Sequence, residues 1–120
     1  MLIIARSPGK GKSMKISVLI KEPGKNPRHV NIENSLKNLQ KTVGGYIEAV
    51  TLAEDCAVIC NEEGRLMGLP YCCEICGVSF VGTVVIVGVS GEEFCDLPGE
   101  WKTWKKCENC VIEEFLGGDD

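Results

Sequence analysis

Residues 80–89 read FVGTVVIVGV. This is the most β-branched stretch in a chain of 120 residues. β-Branched side chains are stiff at χ1 and suit the pleated surface of a sheet better than the crowded turn of a helix. The stretch predicts a central strand, strongest over Thr83–Val89. Ser90-Gly91 then offers a hairpin turn into EEFCDL.

Other segments supply neighbours for that strand. Lys15 to Lys21, KISVLIK, alternates at Ile16, Val18 and Ile20, with Leu19 opposite, and predicts a strand. EPGKNPRH carries two prolines and a glycine and reads as a loop. HVNIE returns as a short second strand. Asn34 or Ser35 can cap the next segment, SLKNLQKTV, by accepting hydrogen bonds from free N–H groups. Leu36, Leu39 and Val43 fall on one stripe, so the segment is a helix. Gly44-Gly45 ends it.

YIEAVTLAEDCAVICNEEG reads as two strands around Ala53-Glu54-Asp55. Tyr46, Glu48, Val50 and Leu52 share one face, and Ile47, Ala49 and Thr51 the other. Cys56, Val58 and Cys60 alternate in the second strand, and Asn61–Gly64 makes a turn. RLMGLPYCCEICG, broken by Gly68 and Pro70, reads as irregular. Beyond it, Asp96 and Pro98 suit the start of a tail helix with the stripe Leu97, Trp101, Trp104, Val111 and Phe115. The expected fold is α+β: a mostly antiparallel sheet of about five strands, one helix after strand two and a C-terminal helix. The expected organisation is a flexible basic leader over 1–13, one domain over 14–97, a packed helix over 98–116 and an acidic tail over 117–120.

Composition narrows the class. Hydrophobic content of 44% and charged content of 25% fit one globular domain. No run of about 18 apolar residues suggests a membrane span, and the first residues lack a secretory pattern. The expected location is the cytoplasm. The net charge of −4 is divided unevenly. Residues 1–45 carry nine Lys or Arg and two Glu, a balance of +7, whereas residues 46–120 carry four basic and fifteen acidic residues, a balance of −11. A basic half can attract phosphates or an acidic surface. Aromatics do not interleave with the basic positions, so nucleic acid is a less favoured partner.

The leader SPGKGKS, residues 7–13, looks like the end of a nucleotide phosphate loop. The full pattern G-x-x-x-x-G-K-[ST] needs a first glycine where Arg6 stands. It must also open a helix, and here a strand follows.

Eight cysteines are many for this length. Cys73-Glu-Ile-Cys76-Gly77 and Cys107-Glu-Asn-Cys110 form two C-x-x-C pairs. Four such thiolates can close a tetrahedral zinc site. The competing reading is core packing, since small buried cysteines behave as hydrophobes. Cys56, Cys60 and Cys95 read as core residues of strands. No cofactor is expected on the first reading, and one structural zinc on the alternative. His29 is the one histidine, and no residue is nominated as its nucleophilic partner. Adjacent Glu62 and Glu63 would point to opposite faces of a strand, so only one could enter a given site. No enzyme is expected.

The blocks LKNLQKTVGGYIEAVTL, AVICNEEGRLMGLP and FVGTVVIVG resemble the domain-of-unknown-function 3846 family over about residues 14–97. The VGGYIE and NEEG-x-L-x-GLP motifs carry the likeness. Cys72 stands where the family usually has the asparagine of a Pro-x-Asn pattern. The resemblance implies a small protein of phages, prophages or plasmid-like elements, with no established activity to carry over. By analogy of context it implies a non-catalytic accessory factor, with counter-defence as one role, that binds a host protein or sequesters a small signalling nucleotide. The expected binding surface is the Asn61–Gly64 turn with the Gly68-Leu69-Pro70 loop. Its candidate residues are Tyr46, Glu48, Asn61, Glu62, Glu63, Arg28 and His29. On the nucleotide reading Lys21, Lys25, Arg28 and His29 would meet phosphate, and Tyr46 would stack on a base. No membrane partner is expected, and a homo-oligomer is compatible with the sequence.

Overall fold

The computed structural model describes residues 15–98. The strands are β1 (Lys15–Lys21), β2 (Arg28–Glu33), β3 (Ile47–Ala53), β4 (Cys56–Asn61), β5 (Tyr71–Ile75), β6 (Val78–Val81), β7 (Val84–Ser90) and β8 (Glu93–Cys95). One helix, α1 (Leu36–Val43), follows β2. The sheet runs β2-β1-β7-β4-β3, with β8 also paired to β7, and β5-β6 form a separate hairpin. All strand pairs are antiparallel.

The β-branched run is central. Ile86 of β7 lies opposite Leu19 of β1 on one side and Val58 of β4 on the other. Both faces of β7 are buried, and they serve two separate cores. Val85 and Val87 join Ile16, Val18, Leu39, Ile59 and Phe94 under the helix. Val84 and Ile86 join Leu19, Cys56, Val58, Ile75 and Phe80 under the β5–β6 hairpin. A strand covered twice has no polar face, which is why this stretch alternates so little. Each core side chain so buried contributes about 1.5–3 kcal/mol of transfer free energy.

Helix α1 begins and ends as its sequence suggests. Ser35 caps it, its hydroxyl accepting the Asn38 N–H at 3.1 Å. Gly44 closes it at φ 84, with the Gly44 and Gly45 amides both donating to Gln40 O. Leu39 and Val43 are buried, whereas Leu36, the first residue of the expected stripe, lies on the exposed side.

The expected five strands become eight, and the described residues are predominantly β. The segment read as irregular holds β5, which pairs with β6. A register shift between Tyr71 and Cys73 breaks the alternation there and turns Cys72 and Cys73 both inward. The run at 80–89 is also two strands rather than one, because Gly82 at φ 74 separates β6 from β7. Thr51 keeps the register of Ile47 and Ala49 but is exposed, and a second register shift follows between Thr51 and Ala53.

Asp96 reaches back to β1. Its carboxylate accepts the Ser17 N–H at 2.7 Å, and Leu97 N–H donates to Ser17 O at 2.8 Å. Residues 96 and 97 thereby tie the end of β8 to β1, with Leu97 buried in the hairpin-side core. The remainder of the expected C-terminal helix and the leader lie outside the described residues.

Candidate functional site

The NEEG-x-L-x-GLP segment is built on Asn61, the last residue of β4. Its side-chain amide donates to Val43 O at the end of α1, at 3.2 Å, and lies 3.5 Å from Met67 Sδ. Its Oδ1 accepts the Glu63 N–H at 2.8 Å. An asparagine closing a turn on its own strand needs only local geometry; here the same side chain also satisfies a helix-end carbonyl. Gly45 leaves room for it, since a Cβ there would stand 2.9 Å from Asn61 Nδ2. The following turns close through Met67 N–H to Glu63 O and Leu69 N–H to Gly64 O. Leu69 then packs over Gly82, where a Cβ would approach its Cδ1 to 2.7 Å.

This loop walls a cleft of about 260 Å³ on the hairpin side of the sheet. Glu48 and Val50 of β3, with Cys60 and Asn61 of β4, form one side. Val78 through Val81 of β6 form the other, and Glu62, Arg65 and Leu66 close the end. Arg65 spans to β6, donating to Ser79 O at 2.8 Å. Leu66 is 89% exposed, and Val78 is also an exposed apolar side chain.

The pairing register brings Glu48 and Glu62 to this cleft. Glu48 lies opposite Cys60, and the Glu62 N–H donates to Tyr46 O at 2.8 Å, continuing the β3–β4 ladder. Among the expected site residues, Glu48, Asn61 and Glu62 therefore line one cleft. Tyr46 and Glu63 stand nearby on exposed positions outside its lining. Asn61 is 6% exposed, and its amide group is engaged internally, so it acts as a strut of the site.

Arg28 and His29 are not brought to it. They sit on β2, at the opposite edge of the sheet from β3. Arg28 donates to Glu22 Oε2 at 2.8 Å, and Lys25 Nζ lies 3.3 Å from Glu22 Oε1. The Arg28 guanidinium, with Lys25, holds the Glu22 carboxyl below its ordinary value. Lys21 and Lys25 instead border a second hollow of about 240 Å³ with Gly24, Asn26 and Cys72. Tyr46, expected to stack on a base, and the residues expected to meet phosphate thus lie in separate parts of the sheet.

The thiols form a buried stratum. Cys56, Cys60, Cys72 and Cys73 all belong to the hairpin-side core. Burial pushes the Cys56 thiol up to about 12, and nearby Asp55 adds to it. Burial, then Glu48, pushes Cys60 up to about 11 against an opposing effect of Arg65. Such thiols stay protonated at neutral pH and are poor nucleophiles. Of the expected zinc ligands, Cys73 is fully buried and not in a disulfide, and Cys76 is disulfide-bonded. Cys107 and Cys110 lie outside the described residues. Among the described residues, no three His, Cys, Asp or Glu side chains are grouped to hold a metal ion.

Sequence reasoning placed Val50 on the Glu48 face of its strand without assigning it to the site, named Leu66 only as a motif letter, and did not single out Arg65 or Val78. The missing signal was the β5–β6 hairpin, which supplies one whole wall.

Among the described residues no helix is long and apolar enough to cross a membrane. No curated protein and no solved structure matches the chain. A family model described as a domain of unknown function matches residues 14–107, more than half of the sequence, and the chain belongs to that family, DUF3846.

Proposed function

We propose that this domain is a non-catalytic accessory binding protein of a mobile element and that it engages a host protein through the cleft between β3–β4 and β6. The observation that carries this reading is the pairing of acid with exposed apolar surface: Glu48 and Glu62 share one cleft with Leu66 and Val78. An apolar patch rimmed by charge is the ordinary form of a protein contact. Carboxylates at the same place would repel a phosphate, so the cleft favours a protein over a signalling nucleotide. The surrounding chain has the same sign, since residues 46–98 hold one Arg and nine Asp or Glu.

The test is capture from host lysate by the full chain, compared with two variants. Glu48→Lys with Glu62→Lys should abolish capture of the partner while leaving the thermal melt unchanged. Arg28→Glu, at the far edge, should leave capture intact. Equal loss in both variants, or capture insensitive to the cleft charges, would remove the cleft assignment.

A further inference from the structure

β3 is a terminal strand of the sheet and, among the described residues, pairs on one side only. Its register states which backbone groups face outward. In an antiparallel ladder, hydrogen-bonded and non-hydrogen-bonded pairs alternate. Tyr46 and Glu62 form a hydrogen-bonded pair, since Glu62 N–H donates to Tyr46 O. Glu48 with Cys60 and Val50 with Val58 continue that phase. The N–H and C=O groups of Ile47, Ala49 and Thr51 therefore point away from β4, along the open edge.

Natural edges are commonly blunted by proline, by lysine or by a bulge. β3 contains neither proline nor lysine, and its one register shift lies past Thr51. The opposite edge, β2, carries Arg28, His29, Asn31 and Glu33 exposed along its six residues. The less guarded edge is thus the one beside the acidic cleft. A strand laid against β3 would send alternate side chains toward Glu48, Val50 and the cleft.

We propose that β3 accepts an extended segment of a partner protein as an added strand, whose apolar side chains enter the cleft and whose Lys or Arg side chains meet Glu48 and Glu62. This rests on the cleft being the contact surface and names the partner's form: a β-strand of alternating basic and apolar residues. Main-chain pairing would supply affinity, and the cleft would supply side-chain selectivity.

The probe is a displayed library of random dodecapeptides, selected on the immobilised full chain. Selected peptides should alternate basic and apolar residues. Saturation with one of them should slow hydrogen exchange at the Ile47, Ala49 and Thr51 amides tenfold or more. N-methylation of the peptide at alternate residues should weaken binding at least tenfold in one phase and little in the other. Peptides that lose affinity for Glu48→Lys with Glu62→Lys, yet leave those three amides unprotected and bind equally when N-methylated, would overturn strand addition and keep the cleft. Failure to enrich any peptide would overturn both. Concentration-dependent protection of the same amides in the free protein would make the occupant a second copy and overturn the proposal.

Discussion

The side-chain amide of Asn61 donates to the backbone carbonyl of Val43 at 3.2 Å, joining the end of β4 to the end of α1. Asn61→Ala leaves that buried carbonyl and the partly buried Glu63 N–H without their partner, and the buried omission is the costlier. A loss of about 2 kcal/mol is expected in urea unfolding. Asn61→Asp keeps the acceptor for Glu63 but cannot donate to Val43, so it should be destabilised as well. A wild-type midpoint in either variant would show that the loop is held by other contacts.

The buried thiols make alkaline pH a probe of the hairpin-side core. Cys60 and Cys56 are raised from 9.0 to about 11 and about 12 by burial. A neutral thiol is thus favoured by the folded state. That contribution is complete below pH 9 and is lost as the pH rises through the folded values, because the unfolded chain deprotonates first. Unfolding midpoints should fall from pH 9 upward. Iodoacetamide at neutral pH should spare both residues until the protein is unfolded, as peptide mass mapping can read.

Glu22 reports the other edge. Its carboxyl is held below 4.5 first by Arg28 and then by Lys25. The sign is opposite to that of the thiols: the charged form is favoured on folding, above pH 4.5, and the preference is lost as pH falls through the lowered value. Side-chain carbonyl NMR should find its midpoint below 4.5, moving upward in Arg28→Ala. An unmoved midpoint would mean that the ion pair does not persist in solution.

Gly88 is required by proximity. A Cβ on it would collide with the Asp96 carbonyl oxygen, a backbone atom that cannot rotate away. Gly88→Ala should therefore force β7 and β8 apart and break the Ser17 contacts of residues 96 and 97. The expected cost is about 3 kcal/mol, typical of severe overpacking. Increased hydrogen exchange at Leu97, whose amide donates to Ser17 O, is the specific readout.

Much of the fold was legible because local signals agreed with tertiary demand. β1 occupies Lys15–Lys21 as its alternation states, Ser35 and Gly44 bound the helix, and β3 and β4 flank Glu54-Asp55. The hairpin β5–β6 was hidden for a physical reason: the irregularity at Cys72 removes the period of two by which a strand is recognised. Gly82 concealed itself inside an apolar run, since its positive φ leaves no mark in composition. The site was legible as a loop and not as a cleft. Glu48 and Glu62 are far apart in sequence, and only the β3–β4 register places them together. Arg28 and His29 looked equivalent to Tyr46 until strand order put them at the other end of the sheet.

Strand order also governs when the protein can fold during synthesis. β1 and β4 are both neighbours of β7, and β7 ends only at Ser90. Until that residue leaves the ribosome, the β1–β2 and β3–β4 pairs lack the strand that joins them, each leaving an apolar edge to await the same late insert. Isolated hairpins are marginal in water, and unpaired apolar edges invite aggregation. Completion of the sheet is therefore a single late event, and a ribosome stalled before residue 84 would present both unfinished edges to chaperones.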